Sequence, residues 1–481
     1  MQIQPDHRYE ALKARDARFD GRFFVGVSTT GIYCRPICSA RTPGRDRCQF
    51  FEHAAAAEDQ GFRPCLRCRP ELAPGLARSD ARASAARWAV ERIESGYLND
   101  NSVDALAAEY GLSARQLRRS IVSEFGVSPV QLAQTRRLLL AKQLLAQTSL
   151  SMTQVALASG FSSVRRFNHL FQMRYRLNPS QLRRDAGAKS SDAIILRLAY
   201  RPPLAWATLL EFLVGRGAAG VEAARGQKYL RTVHLDGRSG WMSAQPEAGA
   251  HRLLVEISPE LVPVLAKLLP RIRRLFDLDA HPALIDAQLS TDPHLASLVT
   301  VLPGLRVPGA LNGFELALRA VLGQQVTVKA ASTLFGRFAR AFGQPANTPH
   351  PELLYYAPKA ELIAQAPVQQ LIDLGLTQRR AQTISDLARA LASGVLDLDQ
   401  PADLQASAAQ LQSIAGIGPW TAQYIGMRAL RDPNALPASD LGLMKALAVS
   451  KPAQVIAAAQ GWQPWRAYGA LHLWHSLKSG G

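Results

Sequence analysis

Leu411-Gln412-Ser413-Ile414-Ala415-Gly416-Ile417-Gly418-Pro419-Trp420-Thr421-Ala422 is the stretch that decides how the C-terminal half of this 481-residue chain folds. An apolar helix runs into Gly-Ile-Gly and a new helix starts at Pro419, the pattern of a helix-hairpin-helix. Gly416 and Gly418 let the backbone approach a phosphate closely, and the N–H groups at the next helix start can bind it. Such a hairpin alone indicates only nonspecific DNA contact. Its partner is Asp440, 22 residues beyond Gly418, in Leu436-Pro437-Ala438-Ser439-Asp440-Leu441-Gly442. An Asp before an apolar helix is most often just an N-cap. The pairing with the hairpin makes it a candidate for chemistry.

Working outward, residues 193 to about 303 alternate strand-like runs, Ala193 to Ala199 and Leu253 to Ile257, with helical ones such as Leu261 to Phe276. That pattern predicts a small α+β unit, and from Pro303 onward the pattern is helical. Pro202-Pro203, Arg274-Leu275-Phe276-Asp277-Leu278, Arg319-Ala320-Val321-Leu322-Gly323-Gln324-Gln325-Val326 and Trp465-Arg466-Ala467-Tyr468 complete the set. With these, residues 193 to 481 resemble the AlkA-type 3-methyladenine DNA glycosylases of the helix-hairpin-helix superfamily. The resemblance implies hydrolysis of the N-glycosidic bond of an alkylated purine flipped out of the duplex. Positive charge builds on the sugar, so Asp440 would stabilise it and help position or deprotonate water. An aromatic pocket would favour cationic bases; the matching positions are Trp420, Tyr424 and Trp474, with Gln324 as a further substrate contact. Trp206 and Phe212 read better as core. The position of the family's leucine wedge is held by Gln325, with Val326 beside it to share the work. Bifunctional relatives carry a lysine nucleophile where this chain has Trp420, which implies a monofunctional enzyme. With no cysteine beyond Cys68, the iron–sulfur cluster of another branch is excluded.

Upstream, the chain repeats itself from Ser102 to Leu132 and from Ser151 to Leu182. Gly111-Leu112-Ser113 recurs as Gly160-Phe161-Ser162, Phe125 as Tyr175, and Pro129 as Pro179. Each copy has a short amphipathic helix ending at the glycine, then a polar helix start and a basic second helix, the order of a helix-turn-helix. Gln131 to Gln147 joins the two as one long helix. The stretch from about 80 to 186 resembles an AraC-type DNA-binding domain, most strongly in Ala156-x3-Gly160-Phe161-Ser162-x4-Phe167 and Asn178-Pro179. Arg115, Gln116 and Arg119, and Ser163, Arg165, Arg166, Asn168 and His169, are candidates for groove and phosphate contact, or ordinary solvent-facing helix. Phe167, Phe171 and Tyr175, at four-residue spacing, read as a core stripe. Arg183 to Asp192 reads as a linker.

All five cysteines lie within the 35 residues from Cys34 to Cys68. Cys34-x3-Cys38 and Cys65-x2-Cys68 are two close pairs that can give four thiolates to one tetrahedral zinc; disulfides or buried free thiols are the alternatives. Cys48 reads as a small buried hydrophobe. Thr29-Thr30-Gly31-Ile32-Tyr33-Cys34-Arg35-Pro36-Ile37-Cys38-Ser39-Ala40-Arg41 and Gly61-Phe62-Arg63-Pro64-Cys65-Leu66-Arg67-Cys68 resemble the methyl-acceptor domain of Ada-type adaptive-response regulators. The resemblance implies one zinc on Cys34, Cys38, Cys65 and Cys68, with Cys34 accepting a methyl group irreversibly from a DNA methylphosphotriester. A Zn2+ with four thiolates carries net −2; methylating one sulfur brings it to −1 and lowers repulsion from DNA, so repair could double as a charge switch. Arg35, Arg63, Arg67 and Arg69 would hold the backbone, or are ordinary surface charge. The Pro-Cys-His-Arg motif of Ada's second methyltransferase domain is absent, so O6-methylguanine repair should be missing.

The chain carries 56 Lys plus Arg against 38 Asp plus Glu, net +18, and 47% hydrophobic residues, enough for real cores. Residues 1 to 190 hold 29 basic and 17 acidic residues, net +12, and the remainder 27 and 21, net +6. That surplus points to a polyanion, here nucleic acid. The sequence therefore predicts a mainly α, multidomain chain: a zinc methyl-acceptor domain over 1–76, a double helix-turn-helix domain over 80–186, an α+β domain over 192–303 and a helix-hairpin-helix domain over 304–481. Expected partners are alkylated and promoter double-stranded DNA and RNA polymerase, for a cytoplasmic monomer without a signal peptide or membrane contact. The rival readings are a regulator whose glycosylase half only binds DNA, and a pure repair enzyme.

Overall fold

The computed structural model describes residues 5–75, 85–186, 193–401 and 403–479. The expected boundary at 76–80 and most of the expected linker at 183–192 lie outside the described residues. The chain divides into two compact units, Met1–Pro202 with Glu247–Pro270, and Pro203–Pro246 with Arg271–Gly481. The expected acceptor and helix-turn-helix domains thus share one unit, and the expected α+β domain is divided between the two.

The first unit opens with α1 (Pro5–Lys13), β1 (Phe24–Val27), β2 (Ile32–Cys34), β3 (Cys48–Phe51), α2 (Ala54–Asp59) and β4 (Arg63–Pro64). The sheet runs β3-β1-β2-β4. β1 pairs antiparallel with β2 and β3, placing Val25 opposite Cys34 and Val27 opposite Cys48. β4 pairs parallel with β2, Tyr33 opposite Pro64, and this pairing carries the second cysteine pair to the first.

Next come α3 (Ala85–Glu94), α4 (Val103–Glu109), α5 (Ala114–Phe125), α6 (Pro129–Gln147), α7 (Met152–Ala158), α8 (Val164–Tyr175) and α9 (Pro179–Ala186). The two repeats fold alike because their signals are alike. Ser102 and Ser151 cap the first helices, Ser113 and Ser163 the second, and Gly111 (φ 65°) and Gly160 (φ 90°) take the left-handed turn that a side chain resists. The first repeat buries Leu106, Leu117, Ile121 and Phe125 in a cluster that also takes in Ala55 of α2. The second buries the Phe167, Phe171 and Tyr175 stripe, stacked edge to face. Glu58 of α2 ties the acceptor sheet to the long helix: its buried carboxylate accepts from Tyr33 Oη (3.0 Å) and from Thr135 Oγ1 of α6 (2.8 Å).

Beyond them lie β5 (Ile194–Ala199), α10 (Trp206–Gly215), β6 (Glu222–Arg225), β7 (Lys228–Leu235), β8 (Arg238–Pro246), β9 (Arg252–Ile257) and α11 (Leu265–Leu275). β5 and β9, in the first unit, pair antiparallel from Ile194 opposite Ile257 to Ala199 opposite Arg252. The helix expected from Leu261 begins instead as a 3-10 stretch, Pro259–Val264, in whose interior Pro263 withholds the N–H that would bond to the carbonyl of Pro259 in an α-helix.

In the second unit β6, β7 and β8 form an antiparallel meander, followed by helices. These are α12 (Pro282–Leu289), α13 (Ala296–Val301), α14 (Gly313–Leu322), α15 (Val328–Phe342), α16 (Ala360–Gln365), α17 (Val368–Asp373), α18 (Gln378–Ala392), α19 (Leu404–Ser413), α20 (Pro419–Arg428), α21 (Leu441–Ala446), α22 (Pro452–Ala458) and α23 (Arg466–Ser479). Two cores hold them. One gathers Leu318, Phe335, Phe338, Leu387, Leu411 and Ile425; the other gathers Leu443, Val455, Trp462, Trp465 and Leu471. Among the described residues no helix is long and apolar enough to cross a membrane.

Candidate functional site

Two sites are built, one in each unit. In the first, Cys34 ends β2 and the turn after it brings back Cys38, whose N–H donates to Arg35 O (3.1 Å). Cys65 follows β4, its N–H bonded to Tyr33 O (3.0 Å). The four Sγ atoms of Cys34, Cys38, Cys65 and Cys68 lie within 4.8 Å of one another. Four sulfurs about 2.3 Å from a central zinc sit roughly 3.8 Å apart, so the cluster fits one tetrahedral ion. Four thiolates this close repel one another unless a cation compensates them, which favours the metal over free thiols. Cys48 stands apart on β3, buried, its thiol on Gly44 O (3.3 Å), as a small hydrophobe would.

The arginines separate sharply. Arg35 turns inward: it is 5% exposed, paired with Asp20 through Nε (2.8 Å) and Nη2, and donates from Nη1 to Cys68 O (2.9 Å). Its backbone N–H points at Cys68 Sγ (3.3 Å), so Arg35 supports the sulfurs from behind. Arg69 turns to Glu71 (3.0 Å). Arg67 is exposed, and with Arg41 and Arg63 it lines a cavity of about 320 Å3 walled by Val25, Val27, Leu66, Cys34, Cys38 and Cys65. Arg41 was missed in the sequence because it stands three residues past Cys38, and only the fold returns it to the cavity.

On the second helix of each repeat, Arg115, Arg119, Arg165 and Arg166 are all exposed. Gln116 accepts the Ser113 N–H on Oε1 (2.9 Å) in a capping box, and Ser163 caps α8; both are exposed.

In the second unit the hairpin joins α19 to α20. Gly416 has φ 93°, and a Cβ there would lie 2.1 Å from Thr383 Oγ1; only glycine fits. Gly418 is the exposed N-cap of α20 with open space around it, leaving the first N–H groups of a ten-residue helix facing outward. Gln324, expected at the substrate, braces this hairpin through one end of its amide: its Nε2 donates to Gly416 O (3.0 Å) and Thr421 Oγ1 (2.9 Å). Gln325 is exposed and left-handed (φ 55°) in the loop after α14.

Asp440 is indeed an N-cap, accepting Leu443 N–H on Oδ1 (3.0 Å), but it is more than that. Trp474 Nε1 donates to Oδ1 and Trp420 Nε1 to Oδ2, both at 2.9 Å. The two indoles therefore grip the carboxylate as well as offering their faces. Trp420 stacks on Tyr424 (5.3 Å, 6° between planes), and Tyr424 meets Trp474 at 6.3 Å. Of about four lone-pair positions on a carboxylate three are filled, leaving one on Oδ2. Gly442 makes the fit possible, since a Cβ would come within 2.9 Å of Asp440 Oδ1 and 3.4 Å of Trp474 Cδ1. The Tyr424 hydroxyl accepts from Arg428 Nη1 (2.8 Å). Burial works to raise the Tyr424 pKa, but the cations of Arg428 and Arg216 outweigh it and hold the phenol below its usual value. Phe212, read as core, is buried under the same two guanidiniums, and Trp206 packs on Phe276 with its N–H on Gln227 O. Arg216, Arg428 and Gly442 left no sequence signal of their own.

Family models match this chain in four consecutive stretches: the metal binding domain of Ada over residues 7–71, a helix-turn-helix domain over 106–185, the AlkA N-terminal domain over 195–312, and the HhH-GPD superfamily of base excision DNA repair proteins over 318–453. A Mycobacterium tuberculosis protein, "Probable bifunctional transcriptional activator/DNA repair enzyme AlkA", is 38% identical over 98% of this chain and 96% of its own length. DNA-3-methyladenine glycosylase 2 of Escherichia coli is 33% identical over 58% of this chain and 96% of its own. Among solved structures, the 3-methyladenine DNA-glycosylase of Archaeoglobus fulgidus matches 59% of this chain and 98% of its own at 21% identity and a TM-score of 0.51, a likeness of fold.

Proposed function

This chain belongs to the family of bifunctional transcriptional activators and DNA repair enzymes that join an Ada-type metal binding domain and a helix-turn-helix domain to an AlkA-type glycosylase, and on that footing we propose how its residues divide the work. It meets DNA alkylation with two activities, as a methyl acceptor that also activates transcription and as a monofunctional glycosylase for alkylated purines. Double-stranded DNA is the partner of both. RNA polymerase contact, a monomeric state and a cytoplasmic setting complete the proposal.

Zinc on the four sulfurs would keep Cys34 a thiolate at neutral pH, the attacking form. The Cys34 sulfur forms a bond to the methyl carbon, the carbon–oxygen bond breaks, and the phosphodiester leaves as an anion. Arg41, Arg63 and Arg67 receive that anion at the cavity. Arg115, Arg119, Arg165 and Arg166 hold promoter DNA.

In the second unit, Gly416 and Gly418 bring the α20 N-terminus to a phosphate beside the lesion. The flipped base lies against Trp420, Tyr424 and Trp474, whose faces attract a cationic purine. The one open position on Asp440 Oδ2 faces the developing charge on the sugar and the attacking water. The observation that carries this reading is the grip of two indole N–H groups on the two oxygens of a single carboxylate. It is tested by base release from methylated duplex DNA with purified protein and Asp440→Asn; equal release from both would remove Asp440 from the mechanism. For the acceptor, intact-protein mass spectrometry after incubation with methylated DNA should find one added methyl, absent in Cys34→Ser.

A further inference from the structure

We propose that Cys34 also accepts alkyl groups longer than methyl from DNA phosphotriesters, ethyl and n-propyl among them, and that Val27 and Ile32 set the length admitted; this rests on the methyl-acceptor reading above. A methyl group takes up no more room than a water molecule, about 30 Å3. The cavity beside Cys34 holds about 320 Å3, and the side chains of Leu12, Val25, Val27, Ile32 and Leu66 in its wall carry no donor for a metal or a phosphate.

The pairing of β1 with β2 puts Val25 opposite Cys34 and Val27 opposite Ile32. Paired residues share a face of the sheet, while their neighbours in sequence point to the other. Val25, Val27, Ile32 and Cys34 therefore stand on one face, and all four line the cavity. Phe24 and Tyr33 stack edge to face on the other side, in a separate core with Phe62, and neither lines it. The Cys34 side chain thus shares its space with aliphatic neighbours. Depth then separates the two parts of an alkyl phosphotriester. Val25 (1% exposed) and Leu12 (5%) close the inner end, while Arg41 and Arg67 are exposed at the rim. A phosphate oxygen finds no partner among the aliphatic side chains and is held by the guanidiniums. A longer alkyl chain is drawn the other way, by about fourfold for each methylene buried. In the transfer the Cys34 sulfur bonds to the first carbon of the chain, the bond from that carbon to oxygen breaks, and the phosphodiester departs with the electron pair as an anion. The remaining carbons stay attached to sulfur and lie along the half-buried Val27 and Ile32.

The test uses the full-length zinc-loaded protein and duplexes carrying a single methyl, ethyl or n-propyl phosphotriester, with intact-protein mass spectrometry reading the rate of transfer to Cys34. A small free thiolate gives the intrinsic order of the three donors. The n-propyl to methyl rate ratio of the protein is expected to exceed that of the free thiolate by about tenfold or more. Val27→Phe and Ile32→Phe, each filling the wall from a different strand, should slow n-propyl transfer at least about tenfold more than methyl transfer. Melting of the product gives a second reading: the protein S-propylated on Cys34 should melt about 3 °C or more above the S-methylated form. A protein ratio no higher than that of the free thiolate, an equal loss of all three donors in both variants, or an S-propylated form that melts below the S-methylated one overturns the assignment and leaves the methyl-acceptor reading in place. Transfer of no alkyl group from any of the duplexes removes that reading and this assignment with it.

Discussion

Asp440 caps its helix and, in the proposed mechanism, is the site acid as well, and the difference lies in what else reaches its two oxygens. A plain N-cap needs one backbone N–H; here two indoles are added, and they leave a single lone pair for chemistry. Gly442→Ala should keep the fold, since Gly442 has an ordinary backbone, while its methyl presses on Asp440 Oδ1 and the Trp474 ring. The expected result is a fall of about tenfold or more in the single-turnover excision rate with DNA affinity within about twofold, measured on the same duplex. Arg35 shows the opposite case, a residue whose neighbourhood in the sequence suggested DNA and whose burial against Asp20 and Cys68 O makes it part of the scaffold. Adjacent residues on a two-residue period point to opposite faces, so proximity to Cys34 in sequence said nothing about direction.

At the scale of elements, the hairpin depends on Gly416 and on its brace. A Cβ at this position meets Thr383 Oγ1 at 2.1 Å, in backbone that side chains avoid. Gly416→Ala should therefore cost about 1–3 kcal/mol of stability and weaken binding to undamaged and damaged duplex alike. Urea unfolding and a salt-controlled binding titration would read both effects. Gln324 belongs to this scale too: its amide Nε2 links the loop after α14 to the hairpin. The two helix-turn-helix units were the most legible elements, because their caps, turn glycines and apolar stripes are all local signals. The 3-10 entry into α11 shows local chemistry deciding as well, through Pro263.

For the whole molecule, the acceptor site and the glycosylase site lie in separate compact units, so they should fail separately. Chelation of zinc is expected to lower the melting of the first unit by more than about 10 °C, because a structural zinc site is folding energy. Base release by the second unit should persist, and calorimetry paired with the excision assay would check this. Each unit also buries a histidine, His53 and His472, with desolvation pulling each pKa down from 6.5 to about 4. The unfolded chain binds these protons first, so stability is complete above about pH 6.5 and is lost as pH falls toward 4, by up to about 2 kcal/mol per histidine at pH 5. Thermal unfolding at pH 7 and pH 5 should show that loss, and His472→Leu should reduce it for the second unit. The sequence by itself determined the metal donors, the paired helix-turn-helix units, the hairpin and the acid beyond it, since each is written in residue type at short spacing. The tertiary structure alone decided which arginines line the acceptor cavity, that two indoles hold Asp440, and that Gln324 faces the hairpin. Those are contacts between residues up to about a hundred positions apart, such as Gln324 and Gly416, and their direction is set by packing rather than by local spacing.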